Sequence, residues 1–127
     1  MKICATNPDL SEAALIHEIS KFVAPPTLAP HSTGGAVDVT LIELASGQER
    51  EMGSPFNGNP VSTKGATYTN TTNISPAAKA NRQILIQAMS KAGFVNYPTE
   101  WWHWSFGDCY WALLSEAPAA IYGSIED

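Results

Sequence analysis

Basic residues are scarce. Two arginines and five lysines stand against twelve acidic residues in 127 positions, for a formal net charge of −5. Phosphate backbones are bound through a basic footprint, so this balance argues against a nucleic-acid partner. Cysteine is scarcer still, at Cys4 and Cys109 alone. The two are too far apart in sequence to suggest a thiolate metal site, and spacing does not say whether they pair. Nor is a disulfide staple required, because a chain of this length buries roughly two-thirds of the surface that its unfolded form exposes. No apolar run approaches the length of a membrane span. The opening MKICATNPDLSEAALIHEIS lacks the continuous apolar core and small-residue cleavage site of a signal peptide. The expected location is therefore the reducing cytoplasm, where the N-x-[S/T] sites at Asn70 and Asn73 carry no weight. Internal repeats are absent, and the length suits one domain over 1–127.

What is present is a clear pattern of elements. Residues 10–23 place Leu15, Ile16, Ile19, Phe22 and Val23 on one helical face, with Asp9 and Glu12 as a capping box and APP as the stop. His17 on this helix has no partner in view and reads as structural or exposed. After the Gly34–Gly35 pair, Val37, Val39 and Leu41 alternate with polar positions, which predicts a strand with Asp38 on the opposite face. ASGQERE reads as a turn into a second short strand. Residues 53–74 are rich in Gly, Pro, Asn and Thr and read as a long loop, of a kind more often functional than idle. Ser75, Pro76 and Gly93 then punctuate a helix whose expected buried stripe is Ile84, Leu85, Ala88, Met89 and Ala92. FVNY, EWWHWSF and CYWALL follow as expected strands, the last two joined through Gly107–Asp108, with AIYG as a further edge. Strands interleaved with two main helices suggest an α+β domain with a small antiparallel sheet.

The histidines keep suggestive company. His31 sits in a Gly-containing loop seven residues before Asp38, and His103 follows Glu100 by three. Two imidazoles and a carboxylate suit zinc with a fourth position open to water. A carboxylate beside such a site, free of the metal, can take the water's proton and pass it to a leaving amine, and Glu100 is the candidate. Residues three apart on an ideal strand face opposite ways. Convergence of Glu100 and His103 therefore calls for a turn after Pro98–Thr99 or a bulge in the strand, and the turn is the expectation.

The wording of these segments is more specific than their spacing. HSTGGAVDVTL resembles the S-x-H-x-x-G-x-A-x-D signature of zinc D-alanyl-D-alanine dipeptidases, EMGSPFN their M-G-[ST]-x-F-D segment, and GFVNYPTEWWHWSFGD their E-W-W-H segment. The resemblance implies the small α+β fold shared by these peptidases and the hedgehog signalling domain. It implies one zinc ion per chain on His31, Asp38 and His103, Glu100 as general acid/base, and a small peptide substrate. Asn57, Trp101 and Phe56 fall on the substrate side, with the tryptophans otherwise read as core and pocket wall.

The chain departs from the family at three points. The family's oxyanion-steadying arginine belongs to a segment ahead of the first motif, which this sequence is expected to lack. Arg50 and Arg82 lie elsewhere and read as solvated surface charges. Asn57 stands where the family often has an aspartate for the substrate's amino group, and Ala29 where the signature has serine. The expected function is hydrolysis of D-Ala-D-Ala or a related cell-wall-type peptide. The alternative is a zinc-stabilised peptide-binding module without turnover.

Overall fold

The structure is a computed structural model that describes residues 30–123 and residue 125. The helix expected over 10–23, with His17, and Ala29 lie outside these residues. The chain divides into two compact units, one spanning Val37–Phe106 and the other formed by the residues on either side of it.

Within Val37–Phe106 the dominant element is helix α1, Pro76–Lys91. The Ser75 hydroxyl accepts the Ala78 N–H at 3.0 Å, Pro76 occupies the first turn, and Gly93 leaves the helix at φ 89°. Both ends fall where the sequence predicts them. The buried face does so only in part, at Leu85 and Met89. Ala78, Arg82 and Leu85 are buried, with Ile86 and Met89 packed beside them, whereas Ile84 is 48% exposed and Ala88 and Ala92 are exposed. Positions 78, 82, 85, 86 and 89 make a regular helical stripe. The stripe escaped notice because one of its members is an arginine.

Three short strands form one sheet: β1 (Ala36–Asp38), β2 (Val95–Asn96) and β3 (His103–Ser105), in the order β1-β3-β2. β2 and β3 run antiparallel, with Val95 opposite Ser105 and Asn96 opposite Trp104. As the central strand, β3 is buried at every residue. The expected apolar face of the first strand holds for Val39 and Leu41, which pack on the core. Over β1 itself it is inverted: Ala36 is buried, Val37 is 37% exposed, and Asp38 is half-buried. Ala36 and Asp38 share a face because side chains alternate along a strand. The second strand after ASGQERE reduces to one bridge, Ile42 to Glu49.

The core comprises Met52, Leu85, Trp101, Trp102 and Trp104, flanked by Val39, Leu41, Ile86, Met89 and Phe94. Burying a side chain such as Leu85 contributes about 1.5–3 kcal/mol. The 53–74 segment is a run of turns bonded to its own backbone, for example Gly65 N–H to Pro60 O at 2.8 Å. It is also sewn to the strand region, through Thr69 N–H to Pro98 O at 2.9 Å and Trp101 N–H to Thr67 O at 3.0 Å.

In the other unit CYWALL is a helix, α2 (Cys109–Leu114), where a strand was expected. Gly107 at φ 74° turns the chain, and Asp108 Oδ1 then accepts the Trp111 N–H at 2.8 Å as a helix cap. Gly107–Asp108 is thus a helix start and not a hairpin turn. AIYG forms no strand: the amides of Ile121 and Tyr122 both bond the Gly107 carbonyl, at 2.7 and 2.9 Å. Cys109 is disulfide-bonded; the chain's other cysteine, Cys4, lies outside the described residues.

Candidate functional site

Asp38, Glu100 and His103 are brought together. Asp38 leaves the end of β1, and His103 opens the neighbouring β3, the two segments joined by Val39 N–H to Trp102 O at 2.9 Å. Asp38 Oδ1 stands 3.3 Å from His103 Nδ1, and Glu100 Oε2 stands 3.9 Å from the same nitrogen. The imidazole is buried, at 8% side-chain exposure, while Glu100 is 38% exposed. One ring nitrogen thus faces two carboxylates, one of them open to solvent.

Glu100 reaches this position because residues 97–102 leave the strand geometry. Glu100 N–H donates to Tyr97 O at 3.0 Å and His103 N–H to Glu100 O at 3.3 Å, so the chain turns before β3 begins. The aromatic run that reads as a strand therefore contributes only His103–Ser105 to the sheet. On the far side of the imidazole, Nε2 lies 3.4 Å from the buried Ser105 hydroxyl. Tyr97 packs edge-on to the ring, centroids 5.8 Å apart. Burial and, after it, the Glu100 carboxylate raise the Tyr97 pKa above its usual 10.0, so this phenol stays neutral at physiological pH.

His31 belongs to the unit outside Val37–Phe106 and sits on a short 3₁₀ turn, Pro30–Thr33. Its Nδ1 lies 3.2 Å from the Ala36 carbonyl. A carbonyl only accepts, so Nδ1 is the donor in this bond, and in the neutral imidazole the lone pair lies on Nε2.

The residues expected on the substrate side differ in placement. Trp101 is buried in the core, and its indole N–H donates to Ser54 Oγ at 2.9 Å. Phe56 is 46% exposed and meets Trp102 edge-on, with centroids 5.9 Å apart. Asn57 is exposed in a left-handed turn at φ 56°, a conformation that asparagine tolerates better than most residues.

Sequence reasoning passed over three supporting residues. Ser54 lies inside the quoted EMGSPFN segment, but its bond to an indole has no local signature. Ser105 is two positions past His103 on the same strand, where side chains share a face, and that spacing could have flagged it. Arg82 is the third, and its surface reading is corrected here. It is buried, donates to the carbonyls of Met52 (2.7 Å), Ala66 (2.6 Å) and Tyr68 (2.7 Å), and stacks on Trp101. Loss of hydration lowers its pKa to about 10, which still leaves it charged at neutral pH.

Comparison with known proteins gives a consistent set of matches. A family profile described as D-ala-D-ala dipeptidase matches residues 5–117. The D-alanyl-D-alanine dipeptidase of Synechocystis sp. is 35% identical over 130 residues, covering 88% of this chain and 52% of its own length. That of Enterococcus faecalis is 32% identical over 101 residues, 80% of this chain and 46% of its own. A Streptomyces coelicolor D-alanyl-D-alanine dipeptidase is 34% identical over 76 residues, 59% and 35% respectively. The chain thus spans about half the length, or less, of these relatives.

Proposed function

The chain belongs to the D-ala-D-ala dipeptidase family, and from that premise we propose that it is a zinc-dependent dipeptidase hydrolysing D-Ala-D-Ala or a related small cell-wall-type peptide. The observation that carries this reading is the approach of Asp38 Oδ1 to His103 Nδ1 at 3.3 Å, with Glu100 beside the same nitrogen. Donors about 2.1 Å from a tetrahedral zinc ion stand about 3.4 Å apart, so this pair fits such an ion. His31, Asp38 and His103 would each supply one ligand atom, in the two-imidazole, one-carboxylate set that suits a catalytic zinc. His31 would bind through Nε2, its Nδ1 being held by Ala36 O. His103 would bind through Nδ1, with Nε2–H donating to Ser105 Oγ and fixing the ring.

Zinc held by His31, Asp38 and His103 would supply a water that is acidic near neutrality and a Lewis acid for the scissile carbonyl. Glu100 takes the proton from the attacking water at its solvent-facing carboxylate and delivers it to the departing amine. Trp101, locked by Ser54, and Trp102, faced by Phe56, would form the pocket wall. Phe56 and Asn57 are the exposed residues through which a small peptide would be held, with Asn57 accepting from its ammonium group.

The test is amine release from D-Ala-D-Ala by the zinc-loaded chain, with Glu100→Ala at equal metal content beside it. General acid–base catalysis contributes on the order of 10²- to 10⁴-fold, and the variant should lose that much in kcat. A variant with full activity sinks the assignment of Glu100. A chain that holds one zinc and binds the peptide without turning it over favours the binding-module reading.

Location is a separate matter. No helix among the described residues is long and apolar enough to cross a membrane. Residence in the cytoplasm, as expected above, goes with reduced cysteines, whereas the bonded Cys109 points to an oxidising compartment. Alkylation of freshly lysed cells followed by mass measurement decides between them: a labelled Cys109 supports the cytoplasm, a protected one the oxidising compartment.

A further inference from the structure

We infer that Asn96 is a positioning residue, whose side-chain amide clamps the turn that delivers Glu100 and His103 to one place. The inference rests on the roles just proposed for those two residues. Asn96 is the last residue of β2. Its Nδ2 donates to Glu100 O at 3.1 Å and to His103 O at 3.0 Å. Two carbonyls can be served only by N–H donors, which fixes the amide's orientation and turns Oδ1 away from them. Oδ1 accepts the Thr69 hydroxyl at 2.5 Å. Thr69 is itself fixed, being buried and donating its amide to Pro98 O at 2.9 Å.

The geometry explains why a clamp is needed at this point. Glu100 and His103 would diverge along a regular strand. They converge because residues 97–103 form a turn, whose own closures include the long His103 N–H to Glu100 O bond of 3.3 Å and Tyr97 N–H to His103 O at 3.1 Å. Asn96 grips the main-chain carbonyl of each functional residue with one amide group. It therefore sets the distance between their backbones directly, and the separation of the Glu100 carboxylate from the imidazole follows. A displacement of about 1 Å in a reacting group can cost on the order of a hundredfold in rate. Neither leucine nor aspartate can replace the amide. Leucine has similar size and no donors, and aspartate would set an oxygen against two carbonyl oxygens.

The experiment compares the full chain with Asn96→Leu, Asn96→Asp, Thr69→Val and Thr69→Ser. Amide hydrogen exchange is read at Tyr97, Glu100, His103 and, on α1, Leu85 and Ile86, in metal-free protein. Zinc content, kcat and KM on D-Ala-D-Ala are read in loaded protein. Both Asn96 variants should speed exchange at Glu100 and His103 by about tenfold or more with α1 unchanged. They should lower kcat by about 10- to 100-fold while KM stays within about threefold. Thr69→Val should act in the same direction, and Thr69→Ser, which keeps the hydroxyl, should retain the wild-type exchange pattern. Unchanged exchange at Glu100 and His103 overturns the proposal. So does equal acceleration at Leu85 and Ile86, which would make Asn96 a support of the whole fold. Local loosening with undiminished kcat overturns it as well. An inert wild type would sink the peptidase reading instead, and the exchange pattern would still decide for or against the clamp.

Discussion

The guanidinium of Arg82 gives up its water and finds hydrogen bonds on the carbonyls of Met52, Ala66 and Tyr68, with the Trp101 ring beneath it. Removing it would strand buried acceptors, each costing about 1–3 kcal/mol. Arg82→Met should therefore destabilise the chain by about 3–5 kcal/mol, read as a lower urea midpoint at unchanged slope. Arg82→Lys should recover little of this, because one ammonium cannot reproduce a planar fork that serves separate segments. A loss below about 1 kcal/mol in either variant would contradict this account. Gly53 makes a second case. Its φ is 91°, and an added Cβ would fall inside the Ile74 side chain, so Gly53→Ala should destabilise more than an ordinary Gly→Ala change. Neither residue announces itself in the sequence. Arg82 sits at a position where a hydrophobic count sees only a charge, and its acceptors lie 14 to 30 residues away along the chain. Asp38, Glu100 and His103 stood out as candidates because their side-chain types suit metal chemistry and the wording of their segments resembles a known family.

Elements were legible wherever their ends are decided locally. Helix α1 begins and stops where Ser75, Pro76 and Gly93 say it should, since a cap needs only its near neighbours. Ser75→Ala should cost about 1 kcal/mol in thermal or urea unfolding, the usual value of such a cap. Its hydroxyl also donates to Glu51 Oε1 at 2.6 Å, so Glu51→Gln should lose a smaller part of the same stabilisation. Helix α2 was missed for the converse reason. Its aromatic content favours strands, yet the Asp108 cap on Trp111 and the turn at Gly107 override that preference over six residues. Asp108→Ala removes the cap and should destabilise this short helix by about 1 kcal/mol, visible as faster amide exchange over residues 111–114. The strands that do form were placed but overextended, because alternation shows which residues could pair and not where a partner strand ends.

For the molecule as a whole, a metal held at the proposed site would be a stabiliser of the folded state and not only a reagent. An ion that binds the native form alone adds about 2.7 kcal/mol at a hundred times its dissociation constant. Zinc should thus raise the thermal midpoint of the chain, a chelator should reverse the gain, and His103→Ala should abolish the response. A midpoint indifferent to zinc in the wild type would count against the metal site. The α+β class and the local make-up of the site were readable in advance, whereas the small extent of the sheet and the arginine-centred packing were not. The crowding of indoles has an optical corollary. Trp101 and Trp102 meet at right angles, centroids 5.3 Å apart, and occupy the two positions between Glu100 and His103. Shielded indoles emit at shorter wavelengths than wet ones. The chain accordingly carries its own fluorophore beside the reacting groups: cobalt(II) or copper(II) seated at His103 would quench this emission, so occupancy could be followed in real time without a label.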